Sequence, residues 1–238
     1  MSNDVWCFER SDLQPRKAMK MVLKHCKAIV KSKSADEVFL RLEDNGGVMR
    51  LDKTALPKKW KCPTVSREEI DAIKPLEHKI RLGRVSKIDK AGIHFAKETL
   101  AYPENALFVN CIADALAPRD PKPVFSKGHI ELQSIFFCQQ VFSSAAIGRL
   151  ERAPLTDGMR NWVKSVPHPK TPEDWPSVLS RTIDNALKLH VFMPLWMIRS
   201  RLFYLSHEPI WDYLVYATKA FLVSSPLRRA ARRLDALR

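Results

Sequence analysis

A chain of 238 residues that is 45% hydrophobic and 28% charged can bury a real core, which excludes a disordered or fibrous protein. Its formal net charge of +14 favours encounter with anions: nucleic acid, phosphorylated cofactors or an acidic membrane face. Five dispersed cysteines without a CxxC, and seven histidines without HxxxH or HExxH, speak against a disulfide framework and a metal centre.

The first elements are helical. Over residues 13–44, Met19, Val22, Leu23, Cys26 and Ile29 recur at helical spacing, with Lys17, Lys20, Lys24 and Lys27 opposite. Those lysines read as a solvated face, since no aromatic residues interleave them to form a stacking platform. Ser34 and Glu37 form a capping box before Val38, Phe39 and Leu42, and Asn45-Gly46-Gly47 ends that helix through a left-handed cap. Residues 57–63 form a loop between prolines. Ser66 then caps a short acidic turn, with Glu69 completing the S-x-x-E pattern.

Strand signals follow. Residues 79–88, a turn at Asp89-Lys90-Ala91-Gly92 and a return at residues 93–95 predict a β-hairpin. It leads into an apolar run at residues 106–112, bounded by Pro103 and Asp114, which reads as a buried strand. Pro118, Pro121 and Pro123 carry the chain across an exposed loop. A second strand is expected at residues 129–137. Residues 140–151 then read as a helix whose small residues, Ser143, Ser144, Ala145 and Ala146, allow close packing.

Helical spacing returns in the last third. Thr171, Pro172 and Asp174 mark a helix start, continued by Val178, Ile183, Leu187 and Leu189. The section from 195 to 238 is rich in apolar residues, but Arg199, Arg201, Asp212 and Lys219 keep it short of a membrane span. Arg228, Arg229, Arg232 and Arg233 make a basic stripe that reads as a solvated helical tail. The sequence thus divides into a mainly helical section 1–78, a β-rich section with a packed helix at 79–152, and a mainly helical section 153–238. The fold class expected is α/β (α+β): a β-meander and buried strand flanked by helices.

Few residues carry a chemical signal. Cys111, in an apolar run, is expected to be inert, and Cys138, at a strand-to-helix junction, to be a packing residue. Asp114 ends the expected buried strand, where open α/β sheets place ligand contacts. Gln133 and Gln139 could donate to a ligand carbonyl or satisfy local backbone. None of the seven glycines falls in GxGxxG or GxxxxGK spacing, so the chain has no loop of the kind that cradles a dinucleotide phosphate.

In order along the chain, several short pieces resemble the C-terminal half of a family of FAD/NAD(P)-binding oxidoreductase-like proteins. They are Asp4-Val5-Trp6 with Arg10, Arg41-Leu42-Glu43, Arg50-Leu51-Asp52, Thr64-Val65-Ser66 and Arg81-Leu82-Gly83-Arg84-Val85. Leu132-Gln133, Cys138-Gln139, Phe142-Ser143 with Ala145-Ala146, and Val166-Pro167-His168-Pro169 with Trp175 continue the series. The resemblance implies a flavin-dependent oxidoreductase-like chain that is truncated or diverged, with FAD and NAD(P) as the cofactors concerned. Asp114 and Gln133 would hydrogen-bond the cofactor beside Gln139, while Ser143 and Ala146 would allow its close approach. Asn110, Ile112 and Ala115 stand where that family would have an acidic residue, a threonine and a glycine. Weak or absent cofactor binding by the chain alone is therefore expected. The alternative is a non-catalytic basic protein that meets nucleic acid or an acidic partner. With no basic n-region and apolar core at the N-terminus, a cytoplasmic location is expected.

Overall fold

The computed structural model describes residues 4–14, 16–76, 80–110, 120–203 and 208–237. The N-terminal residues lie between two distant segments. β1 (Phe8–Glu9) pairs in parallel with β2 (Thr64–Val65), and Cys7 exchanges both backbone hydrogen bonds with Met49 at 2.8 Å. Helix α1 (Ala18–Lys31) buries Met19, Met21, Val22, His25, Cys26 and Ile29, leaving Lys20, Lys27 and Lys31 in solvent. Each fully buried apolar side chain on such a face stabilises the fold by about 1.5–3 kcal/mol.

Local capping chemistry follows the sequence closely. At α2 (Ala35–Asp44) the Ser34 hydroxyl accepts from the Glu37 N–H at 3.1 Å, while the Glu37 carboxylate accepts from the Lys33 N–H at 2.7 Å. The box therefore closes one residue earlier than expected. The helix ends in a Schellman motif: Gly46 adopts φ +72°, and the Gly47 N–H donates to the Leu42 carbonyl at 2.7 Å. Ser66 and Glu69 form the complete reciprocal box at α3 (Arg67–Ile73).

The expected hairpin is part of a three-stranded antiparallel meander, β3 (Lys87–Asp89), β4 (Gly92–His94) and β5 (Thr99–Leu100). Ile88 faces Ile93, which in turn faces Leu100. Gly92 is required there, because a Cβ at φ +146° would meet the Leu100 carbonyl oxygen at 2.5 Å. The strand begins at Lys87, later than expected: the Ser86 N–H still donates to the His94 carbonyl at 2.9 Å, but Arg81 is drawn instead to the carboxylates of Asp4 and Asp52, at 3.1 and 3.0 Å.

The expectation of a buried strand at residues 106–112 is overturned. Residues 106–110 form no strand, and Leu107, Phe108 and Val109 are 88%, 43% and 73% exposed. Apolar composition supplies a reason to bury but no hydrogen-bonding neighbour, and no described strand flanks this run. Phe108 meets Tyr102 edge-on, with ring centres 4.9 Å apart. Residues 111–119, with Cys111 and Asp114, lie outside the described residues. The second expected strand is also shorter. β6 (Phe125–Ser126) and β7 (His129–Ile130) make a tight hairpin, after which residues 131–137 leave the sheet and bury Ile135, Phe136 and Phe137.

Helix α4 (Gln140–Glu151) spans the expected residues, and it buries Phe142, Ser143, Ala146, Ile147 and Leu150. A short α5 (Asp157–Arg160) follows. Asp174 accepts from the Lys170 and Thr171 N–H groups at 2.7 and 2.9 Å, setting the start of α6 (Trp175–Phe192). After α7 (Pro194–Arg199) comes the long α8 (Ile210–Asp235). α8 is no solvated tail. It packs along α1 and α6 and buries Leu227, Ala230, Ala231 and Leu234. One core cluster draws on all three stretches of the chain, from Trp6 and Phe39 through Ile147 to Leu179 and Leu227. The molecule is a mixed α/β protein in which helices form the centre and small sheets the margins.

Candidate functional site

The most chemically distinctive place is the approach to α4. Residues 135–137 have no strand partner among the described residues, and side chains from two helices satisfy several of their backbone groups. The Ile135 N–H donates to the Ser143 hydroxyl at 3.1 Å, and that hydroxyl donates on to the Gln139 carbonyl at 2.7 Å. From α6, the Thr182 hydroxyl accepts from the Phe137 N–H at 3.2 Å. Fully buried Asn185 donates to the Ile135 and Lys164 carbonyls at 2.8 and 2.6 Å and accepts from the Lys164 N–H at 2.9 Å. This clamp fixes the segment that delivers Cys138, an exposed residue two positions before the first turn of α4.

A second cysteine meets it there. Cys62 lies in the 57–63 loop, held on one side by the Trp60 N–H donating to the Lys170 carbonyl at 3.0 Å. On the other side the Pro63 carbonyl accepts from the Phe8 N–H at 2.8 Å. Cys62 adopts φ +51°, a left-handed conformation that costs a non-glycine residue about 1–2 kcal/mol. The electrostatics of Cys62 and Cys138 are linked: a hydrogen bond from Cys62, above all, favours ionisation of Cys138 and lowers its pKa to about 7, against an opposing push from burial. The same bond raises the Cys62 pKa, and burial and the neighbouring Cys138 charge raise it further. The shift favours ionisation at Cys138 and opposes it at Cys62.

Aromatic rings join the two cysteines' flanks. Trp60 stacks on Trp175 with ring centres 4.7 Å apart, and Phe137 meets Trp175 at 6.0 Å. Phe8, Phe39 and His25 extend the cluster into the core. The other described cysteines, Cys7 and Cys26, are buried, and burial pushes Cys26 up to about 12.

Of the residues singled out from sequence, Gln139 and Ser143 touch through the hydrogen bond above, and Ala146 lies one turn further along α4, with no exposed surface. Gln133 stands apart. It accepts from the Lys122 N–H at 3.0 Å and donates to the Lys122 carbonyl at 3.1 Å, as a neighbouring strand would. Asp114 lies outside the described residues. The polar bonds of Gln133 and Ser143 go to the chain's own backbone. A hollow of about 350 Å³ beside the β6–β7 turn, lined by Ser126, His129, Glu151 and Asp157, includes none of these positions. Sequence reasoning missed Cys62. No spacing rule links it to Cys138, and only the closeness of Cys138 to a helix start offered a cue.

The first half of α8 carries an apolar stripe in solvent: Ile210, Trp211, Leu214, Val215, Phe221 and Leu222. Pro226, which has no N–H to donate, separates that half from the core-packed end. No described helix is long and apolar enough to cross a membrane.

No family model matches the chain, and no solved structure matches it. Among curated proteins it is similar to uncharacterized protein Rv2000 of Mycobacterium tuberculosis (strain H37Rv) and uncharacterized protein Mb2023 of Mycobacterium bovis. It is 32% identical to each over 191 residues, covering 78% of this chain. The chain spans 36% of the length of these relatives.

Proposed function

We propose that the chain is a diverged portion of an oxidoreductase-like protein, one that contributes helical packing surface and does not by itself hold the phosphates of FAD or NAD(P). The glycines carry this reading. Gly46, Gly92 and Gly128, with positive φ, serve a helix end and two hairpin turns, and no glycine opens a long helix after a strand. A pyrophosphate needs such a helix start, where backbone N–H groups converge and no Cβ blocks their approach. The ordered resemblance to FAD/NAD(P)-binding oxidoreductase-like proteins supports the class. The exposed α8 stripe supports a packing role, since a contiguous apolar face of this kind marks an interaction surface. If flavin chemistry occurs, the redox step belongs to the cofactor, and this chain positions it.

The test is a titration of FAD into the purified chain, followed by flavin fluorescence and by the visible spectrum. Weak or undetectable binding is expected. Saturable binding at micromolar FAD overturns the reading.

A second reading, a basic protein for nucleic acid or an acidic partner, draws on the net charge of +14 and the exposed lysines of α1. The arginines of α8 weigh against it, because Arg228 and Arg233 are bonded within the fold.

A further inference from the structure

We propose that Thr99, His94 and Asp89 form an acyl-transfer site on the β3–β4–β5 meander, with the Thr99 hydroxyl as nucleophile toward small activated esters. The pairing register builds it. His94 on the middle strand faces Lys87 on one side and Thr99 on the other, so these three side chains share one face of the sheet. Asp89, two residues beyond Lys87, lies on that face too. Ile88, Ile93 and Leu100 take the opposite face. Gly92, paired with Asp89, leaves the near face clear, since a Cβ there would meet the Thr99 methyl at 2.7 Å.

The distances form a relay. Thr99 Oγ1 lies 3.0 Å from His94 Nδ1, and His94 Nε2 lies 2.8 Å from Asp89 Oδ1. Lys87 Nζ stands 2.7 Å from the other oxygen, Asp89 Oδ2, and the Ala91 N–H donates to Oδ1 at 2.9 Å. Lys87 above all, then His94, holds the Asp89 carboxyl well below the usual carboxylate range. An ionised carboxylate only accepts, so the His94 proton sits on Nε2 and Nδ1 is left to accept from Thr99. A hydroxyl, a base within hydrogen-bond reach and a third group orienting that base are what an activated nucleophile needs. Thr99 is exposed, and an ester can reach it.

In the first step Thr99 Oγ1 attacks the ester carbonyl carbon while its proton passes to His94 Nδ1. The Oγ1–C bond forms, the ester C–O bond breaks, and the leaving alkoxide takes the proton from His94. Water then attacks acyl-Thr99, giving its proton to His94. The C–Oγ1 bond breaks, Thr99 regains a proton from His94, and a carboxylic acid leaves. One ester and one water become one alcohol and one acid. Asp89 is a positioning residue, acting through the His94 tautomer.

The chain should be treated with p-nitrophenyl acetate, quenched in acid, digested and mapped by mass spectrometry. A Thr99 peptide heavier by one acetyl group is expected. Thr99→Ser should keep the adduct at this position and Thr99→Val should lose it. His94→Gln should slow Thr99 acetylation by about a hundredfold or more. Asp89→Asn should slow it by about tenfold or more and move the ring-nitrogen chemical shifts of His94 toward the other tautomer. Wild-type protein supplies a control independent of variant folding: the rate of Thr99 acetylation should rise with pH in step with deprotonation of the His94 ring, followed by NMR. Acetyl groups confined to lysines and the N-terminus overturn the proposal. So does Thr99 acetylation that proceeds at the wild-type rate in His94→Gln, or that does not track the His94 titration.

Discussion

Trp175 donates its indole N–H to Nδ1 of His25 across 3.0 Å, joining positions 150 residues apart. The bond dictates the tautomer: Nδ1 must accept, so the proton sits on Nε2, which is turned toward the Gly47 carbonyl without completing a hydrogen bond. His25 has no exposed surface and stacks on Phe8 with ring centres 5.5 Å apart. Through this one ring, α1 and the start of α6 are tied to the strand at the N-terminus.

A neutral imidazole in such a place makes stability depend on acid. Burial lowers the His25 pKa from 6.5 to about 3, outweighing the Gly47 carbonyl, which pulls it upward. Between these values the unfolded chain binds a proton that the folded chain does not. Stability therefore falls as pH drops below 6.5 and levels off near 3. At pH 4.5 the loss from this group should be about 3 kcal/mol. Urea melts of wild type and His25→Gln at pH 7 and 4.5 measure it. If both proteins lose the same stability, His25 is not the group responsible.

Ala146 tests the packing of α4. Its side chain has no exposed surface and lies on the same face as buried Phe142 and Leu150. Ala146→Leu should overpack that face and cost about 1–3 kcal/mol in a denaturant melt. Ser144→Leu, on the exposed side of the same helix, should change stability by less than about 0.5 kcal/mol. Equal effects at the two sites would mean that the buried face is assigned wrongly.

Asn185 replaces a strand partner for the segment that leads to Cys138. Asn185→Ala leaves the Ile135 and Lys164 carbonyls and the Lys164 N–H without their side-chain partner. The expected cost is about 2–4 kcal/mol, from desolvated groups that no longer pair. A looser segment should also change the rate at which iodoacetamide labels Cys138. A variant with wild-type stability and wild-type labelling would show that Asn185 does not set this backbone.

What the sequence made legible is local. Ser34, Ser66 and Thr171 mark helix starts because a hydroxyl or a nearby carboxylate satisfies N–H groups within a few residues. α4 was readable from end to end, and the lysine face of α1 from its period. Apart from the Glu37 carboxylate closing on Lys33, the errors are matters of partnership across the chain. Leu107 and Val109 look like a buried strand until one asks which strand would pair with them. Ile135 and Phe137 are buried, as their apolarity suggests, yet Ser143 and Thr182 take the place of a sheet. Cys62 and Cys138 meet through tertiary packing that no spacing rule encodes.

The four arginines near the C-terminus decide between the two functional readings. Arg228 pairs with Asp184 at 2.9 Å, Arg229 donates to the Ser225 hydroxyl at 3.0 Å, and Arg233 donates to the Ser32 carbonyl at 2.6 Å. The last bond satisfies a carbonyl at the end of α1, where the helix dipole also favours a cation. If all four arginines met duplex DNA, the plot of log K against log salt would contain a slope of roughly −3.6 from them. The bonds within the fold favour a different outcome for the variant with all four changed to glutamine. Its stability should fall by about 1–2 kcal/mol, mostly from Arg233, because the Arg228–Asp184 pair is solvent-exposed and contributes less than about 1 kcal/mol. Its salt slope for DNA should stay within about one unit of wild type. Paired urea melts and DNA-binding isotherms across salt concentration give both numbers. A slope that shrinks by three units or more with stability unchanged would make these arginines a polyanion surface and promote the nucleic-acid reading over the oxidoreductase-like one.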